Sequence, residues 1–360
     1  MNFYQITNKK KYFIYSIFIF FIFFIACFEF FLLYFKESIP FNYTDIEKKN
    51  ILYGKKYAHT FDTLQYKIFR TNQLKKKNII IGSSTSTTYE VGKLSEQFYN
   101  ASKPNLKLGD ITFILQNISY IPEKIIIILD PYHFNIDIVE ISQTNYELIN
   151  KVKLYFYNNY KEEYYFIHKA ILHFQNYKII LNDIYENRKK IFNKKLHKKE
   201  NIGFNGIVFN SGFQIDGSYI YPFNYHNKPA VDIRTYLQNF DKKNFGYFGS
   251  ESQFDNFYKK KLDFIINNKK INKNVFLIIL NTVDKNLLQA LQKKNTTNVF
   301  LKKYKNICNY LQSAQVDCID YTSYAQNNNI SSNFFRDGYH YNEVVASQIL
   351  KNLNKKLDIN

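Results

Sequence analysis

A chain of 360 residues and 43.2 kDa, 46% apolar and 22% charged, falls in the ordinary globular range, which excludes wholesale disorder and collagen-like architecture. Its net charge of +19 rests almost wholly on lysine, with arginine only at Arg70, Arg188, Arg234 and Arg336. A specific DNA reader depends on the forked guanidinium, so no nucleic-acid partner is expected. Lys, Asn, Ile, Phe and Tyr are enriched together, as A/T-rich codons would produce, and the charge is read mainly as background with some attraction for anionic polymers or headgroups.

Tyr12 to Phe35 form a nearly unbroken apolar run. At 1.5 Å per residue it extends about 36 Å, enough to cross a hydrocarbon core of about 30 Å with tilt. Lys9, Lys10 and Lys11 stand just before it. The positive-inside rule therefore puts residues 1–11 in the cytoplasm, a transmembrane helix at 12–35 and the rest of the chain outside, as a single-pass membrane protein. Glu29 interrupts the run and has two readings, an acid near the outer interface or a contact with another membrane protein.

Residues 36–77 are polar and expected to be a helical neck. The domain at 78–360 then alternates. Asn78–Ile81 reads as a buried strand ending at Gly82, and Ser83 to Tyr89 as helix-entry sequence. A weak strand near Gln97–Asn100 and a helix around Asp110–Ser119 follow. Lys124–Asp130 is the clearest buried strand, and Asn274–Leu280 is another. Helices are expected at Leu287–Lys293 and Val299–Gln312, a short strand at Val316–Asp320, and a closing helix at Glu343–Leu357. Strands separated by helices predict an α/β fold, a three-layer parallel sheet covered on both faces. The alternation breaks at about 136–270, read as an insertion: helical in pattern over 145–200, then Gly-spaced and hairpin-like over 202–222.

Cys27 lies in the apolar run, and Cys308 and Cys318 lie beyond it. No CxxC or Cys/His cluster supports a metal site, and no cofactor is called for. An oxidising exterior permits a Cys308–Cys318 bridge; two separately buried thiols fit the sequence equally well.

Two segments carry candidate chemistry. Gly82-Ser83-Ser84-Thr85 ends the first strand, where reactive groups gather in open α/β sheets. A serine there can attack, act as a helix cap, or belong to an anion-binding loop. Arg336-Asp337-Gly338-Tyr339-His340-Tyr341-Asn342 precedes the last helix. Asp and His three apart in a turn can set a carboxylate against one imidazole nitrogen and leave the other free as a base; the plain alternative is a surface turn capped by Asn342.

Taken together, the two motifs resemble those of the SGNH (GDSL-type) hydrolase superfamily, which has a flavodoxin-like fold. More narrowly, the chain is similar to the membrane-anchored, outward-facing proteins of alginate O-acetylation and teichoic-acid D-alanylation. The resemblance covers the order of elements from about residue 46 to 357, with residue-level support in the two motifs alone. It implies Ser84 as nucleophile, His340 as general base and Asp337 as its orienter, with Ser83 where the family has Asp. Asn105 stands where the family's second block has an oxyanion-hole Gly; Asn tolerates left-handed backbone angles, which preserves the turn. Where the third block offers an Asn, this chain has Asp130-Pro131-Tyr132-His133. Asp130 and His133 are thus secondary oxyanion or substrate-binding candidates; the plainer readings are a strand-end structural acid and a satisfied loop histidine.

The implied activity is a serine esterase or O-acyltransferase acting on acyl esters, acetyl foremost, of a cell-surface or lipid-linked glycan. Hydrolase and transferase use the same residues. A multispan membrane acyltransferase is the implied acyl-donating partner. The alternative is a non-catalytic, membrane-tethered glycan-binding or scaffold protein that keeps the fold.

Overall fold

The fold is described from a computed structural model of the chain, covering residues 3–37, 51–54, 59–130, 133, 151–152, 155, 178–191, 201–221, 254–268, 271–293, 296–336 and 338–357. Five short strands pair in parallel: β1 (Asn78–Ile81), β2 (Phe98–Asn100), β3 (Lys124–Leu129), β6 (Phe276–Leu280) and β7 (Asp317–Asp320). Between β3 and β6 in the chain, β4 (Gly212–Phe213) and β5 (Tyr219–Ile220) form an antiparallel hairpin. The large sheet has the order β2-β1-β3-β6-β7, with Ile79 opposite both Tyr99 and Ile125, and Ile127 opposite Ile278. The order reverses between the neighbouring strands β1 and β3, the switch point at which sheets of this kind open a crevice at the strands' carboxyl ends.

The helices are α1 (Phe3–Tyr34), α2 (His59–Leu74), α3 (Leu108–Asn117), α4 (Phe204–Phe209), α5 (Phe254–Ile266), α6 (Lys285–Lys293), α7 (Thr296–Ser313), α8 (Tyr324–Asn327) and α9 (Glu343–Leu357). Side chains alternate across the sheet, as strand geometry requires. Ile79, Ile81, Ile125, Ile127 and Ile278 face α2, α3, α5, α6 and α7. Ile80, Ile126, Ile128, Leu277 and Ile279 face α9 and the loop bearing Tyr89 and Val91. Both faces are dry, which is why these strands read as continuous apolar runs rather than as alternating ones.

Three expectations are corrected. The segment expected to be a neck contributes α2, whose Leu64 and Ile68 lie in the main core. The insertion expected to run to about 270 ends earlier, because Leu262, Ile265 and Ile266 of α5 cover the sheet. No long helix follows Ser83. Two 3₁₀ turns, Ser86–Thr88 and Val91–Lys93, carry the chain to β2. The cause is local: the hydroxyls of Thr87 and Thr88 donate to the carbonyls of Ser84 (2.6 Å) and Thr85 (2.7 Å), competing with helix propagation. Most of the expected insertion lies outside the described residues; residues 178–191 are helical, and the expected hairpin is β4–β5.

α1 contains Tyr12–Tyr34, a stretch long and apolar enough to cross a membrane. Its end is clipped to the domain. The Glu37 carboxylate accepts from the Phe204 N–H at 2.6 Å, and the Gly203 N–H donates to the Phe35 carbonyl at 2.9 Å. Residues 51–54 tie the same region to the hairpin, with Tyr53 bridging Ile202 and Phe213. Lys67 of α2, fully buried, donates to the carbonyls of Asn100 (2.7 Å) and Gly217 (2.5 Å) and so fixes the hairpin tip to the end of β2. Burial pushes the Lys67 ammonium well below its ordinary value, against the pull of Asp216.

Cys308 and Cys318 form a disulfide that joins α7 to β7. Opening a loop of this size should cost about 2–3 kcal/mol. Cys308→Ala/Cys318→Ala is therefore expected to lower the thermal unfolding midpoint, and dithiothreitol should lower it for the parent chain alone. An unchanged midpoint in both experiments would show that the bridge contributes nothing.

Candidate functional site

The site lies at the carboxyl edge of the sheet, where β1, β2, β3 and β6 run out at Gly82, Ala101, Asp130 and Asn281. Gly82 is required there by space: a Cβ would lie 2.2 Å from the Ser86 hydroxyl and 3.0 Å from the Ile128 carbonyl. The chain then turns tightly, with the N–H groups of Ser86 and Thr87 donating to the Ser83 carbonyl at 3.0 and 3.1 Å. Ser83 and Thr85 point inward and Ser84 outward. Among the described residues, the Ser84 backbone N–H has no hydrogen-bond partner.

The Ser84 hydroxyl lies 2.6 Å from Nε2 of His340, across 256 positions of sequence. Both residues are half-buried. The turn that carries His340 is closed by an antiparallel bridge between Phe335 and Tyr341 and by the Arg336 N–H donating to the His340 carbonyl at 2.7 Å. Gly338 occupies the left-handed region (φ 88°), and its carbonyl accepts from the Asp284 N–H at 2.7 Å, pinning the turn beyond the end of β6. Asp337 lies outside the described residues.

Beneath the pair runs a buried hydrogen-bond chain whose direction is fixed by its donors. The Asn281 amide nitrogen donates to Asp130 Oδ1 (2.5 Å) and Thr85 Oγ1 (2.8 Å). The amide oxygen accepts from the Thr282 N–H (2.9 Å) and the Tyr341 hydroxyl (2.6 Å). Because Tyr341 donates there, it accepts from Tyr89 at 2.6 Å. Asp130 also accepts from the hydroxyls of Ser83 and Thr85. Burial pushes the phenols of Tyr89 and Tyr341 well above their ordinary value, so both hold their protons and can donate.

Two of the secondary candidates, Asp130 and His133, form a bracket behind the serine turn. His133 is buried; its Nδ1 accepts from the Asp130 N–H at 2.9 Å, and its ring reaches the Leu106 backbone. Asn105, next to Leu106, is exposed and has φ 55°, the left-handed conformation expected of a glycine substitute. Asp130 and His133 thus spend their hydrogen bonds on the protein's own turns. The structure brings Ser84 and His340 together and sets Asp130 under them; it shows no hydrogen bond between Asn105 and Ser84 among the described residues.

Sequence reasoning missed Asn281 and the roles of Thr85, Tyr341 and Tyr221. Tyr221, just past β5, donates to the Ser84 carbonyl at 3.3 Å and lies 3.1 Å from the Thr87 hydroxyl. A signal for Asn281 did exist: it is the first polar residue after the buried run Phe276–Leu280, as Asp130 is after Lys124–Leu129. No family model, curated protein or solved structure matches the chain.

Two outcomes follow from this geometry. Asn281→Leu leaves donors and acceptors of Asp130 and Tyr341 unpaired in a buried site and should cost about 2–3 kcal/mol in denaturant unfolding. A variant as stable as the parent would mean that the chain is not a working network. For His133, burial holds the imidazole below its ordinary value of 6.5. As pH falls through that value the unfolded chain takes up a proton that the native ring refuses, so native stability drops. The thermal midpoint should fall on going below pH 6.5, and His133→Gln should remove that component; identical pH profiles for the two proteins would contradict it.

Proposed function

We propose that this chain is a serine esterase or O-acyltransferase of the SGNH type, held in a membrane by α1 with its α/β domain on the outer side, and acting on acyl esters of a surface glycan. The observation that carries the proposal is the Ser84–His340 contact of 2.6 Å at the carboxyl edge of a doubly wound sheet. Hydrogen-bond reach between a hydroxyl and an imidazole, with the hydroxyl on a strand-end turn, is the geometry that nucleophilic acyl transfer needs. The sheet order, which is that of flavodoxin-like folds, supports the family resemblance.

In the proposed reaction, the Ser84 oxygen attacks the ester carbonyl carbon while Nε2 of His340 takes the serine proton. The carbonyl oxygen becomes an oxyanion facing the Ser84 N–H. Collapse expels the sugar alcohol, which leaves with the proton from His340, and an acyl-serine remains. Water or a second sugar hydroxyl then attacks that acyl group, giving up its proton to Nε2 of His340, which returns it to the Ser84 oxygen as the acyl–serine bond breaks. Asp337, by resemblance, holds the imidazole in the required tautomer. The outward orientation is supported by the lysines before Tyr12 and by the Cys308–Cys318 disulfide, which persists in oxidising compartments. A multispan membrane acyltransferase is the proposed source of acyl groups, and detergent co-purification tests it.

The test is turnover of p-nitrophenyl acetate by the full chain in detergent micelles. Ser84→Ala and His340→Ala should each lower the rate by on the order of a thousandfold or more, with unfolding midpoints kept. Equal rates in variants and parent would sink the catalytic reading and leave a tethered glycan-binding scaffold. Acetyl transfer to an added sugar, rather than release as acetate, separates transferase from esterase.

A further inference from the structure

The face of α1 that meets the domain consists of Phe24, Phe28, Phe31, Leu32 and Phe35, spaced to lie along one side of a helix. The opposite side stays uncovered, with Phe30 71% and Leu33 49% exposed. The covering residues come from α4 and from the helix at 178–191, which contributes Ile180, Ile184 and Ile191. Phe204 of α4 takes the end of the stripe, with its ring 5.9 Å from Phe31 and 5.1 Å from Phe35.

Depth follows from the N-terminal lysines. If Lys9, Lys10 and Lys11 sit at one interface, a hydrocarbon core of about 30 Å is crossed by about twenty residues at 1.5 Å each. It therefore ends near Leu32. Phe28, Phe31 and Leu32 then lie at, or within about 6 Å of, the outer boundary of the hydrocarbon, so the part of the domain that packs on them meets the layer where acyl chains give way to headgroups. Glu29 lies next in sequence to Phe28 of the covered face and has one carboxylate oxygen shielded by protein.

The helix at 178–191 carries the marks of an interfacial element on its uncovered sides. Ile179, Leu181 and Tyr185 are exposed at 48%, 42% and 61%. Lys178, Arg188, Lys189 and Lys190 are exposed beside them. The Arg188 guanidinium stacks on the Tyr185 ring at 4.2 Å, and the Lys190 ammonium lies 4.8 Å from the Phe209 ring. Aromatic rings with long cationic side chains are what the headgroup layer favours, since the rings and stems stay in the apolar zone while the charges reach anionic phosphates.

We propose that the helix at 178–191 is a membrane-contacting collar, seated in the outer headgroup layer of the bilayer that α1 crosses, so that the domain is fixed on the membrane surface. This rests on the reading of α1 as a membrane span and is independent of any catalytic role. The chain has no tryptophan, so a single introduced one reports its own surroundings. The full-length variants Tyr185→Trp, Leu181→Trp, Phe23→Trp (within the span) and Lys260→Trp (exposed, on α5) are reconstituted into phosphatidylcholine–phosphatidylglycerol vesicles, with and without brominated acyl chains.

Quenching at 185 and 181 should be at least roughly half that at 23 and clearly above that at 260, as a residue at the acyl–headgroup boundary requires. Quenching at 185 and 181 equal to that at 260, with strong quenching at 23, would overturn the collar and keep the span. Absence of quenching at 23 would overturn the span reading itself, and the collar with it. Two independent reporter positions keep the result readable if one variant fails to fold.

Discussion

A single buried amide holds the two halves of the site in register. Asn281 uses both amide hydrogens and both oxygen lone pairs, reaching Asp130 and Thr85 under the serine turn and Tyr341 beside the histidine. The chain Tyr89–Tyr341–Asn281–Asp130 has only one consistent direction and ends on a carboxylate, where hydrogen bonds are strongest. A rotation of the Asn281 amide would break four contacts at once in a buried place. That all-or-none character lets residues far apart in sequence keep hydrogen-bond distance without a covalent tie.

The cost of this arrangement is that several polar groups are buried where apolar residues would pack more simply. Ser83, Thr85, Asn100, Asp130 and Asn281 are all fully enclosed. Each occurs at or just beyond a strand end, where the backbone leaves the ladder and its own groups need partners. Asn100, for example, donates to the carbonyls of Ser86 and Tyr89 and accepts from the Ser102 N–H. The same residues that complete the backbone's hydrogen bonding also shape the edge on which Ser84 stands.

The site is also linked mechanically to α1. The end of the apolar helix is clipped at Gly203 and Phe204, Ile202 and Phe213 pair with Tyr53, the hairpin tip is held by Lys67, and Tyr221 beyond the hairpin reaches the Ser84 carbonyl. α1 is therefore packed into the protein rather than hung from it. An aromatic-rich composition serves this well, since stacked and tilted rings such as Tyr53–Tyr66 and Tyr66–Phe213 fill gaps between elements that share no sheet.

Sequence alone sufficed for the central strands β1, β3 and β6 and for the closing helix, because strands buried on both faces must be continuously apolar and a helix of fifteen residues declares its period. It also sufficed for the apolar helix, and it placed Ser84 and His340 in segments that could meet. The tertiary structure alone decided that they do meet, that Cys308 pairs with Cys318, that α2 and α5 belong to the core, and that Asn281 lies between the two turns. The division has one physical source. Periodicity and apolar run length are local quantities, written in neighbouring residues. Which polar side chain satisfies which is settled only when distant strand ends are brought side by side and water is expelled.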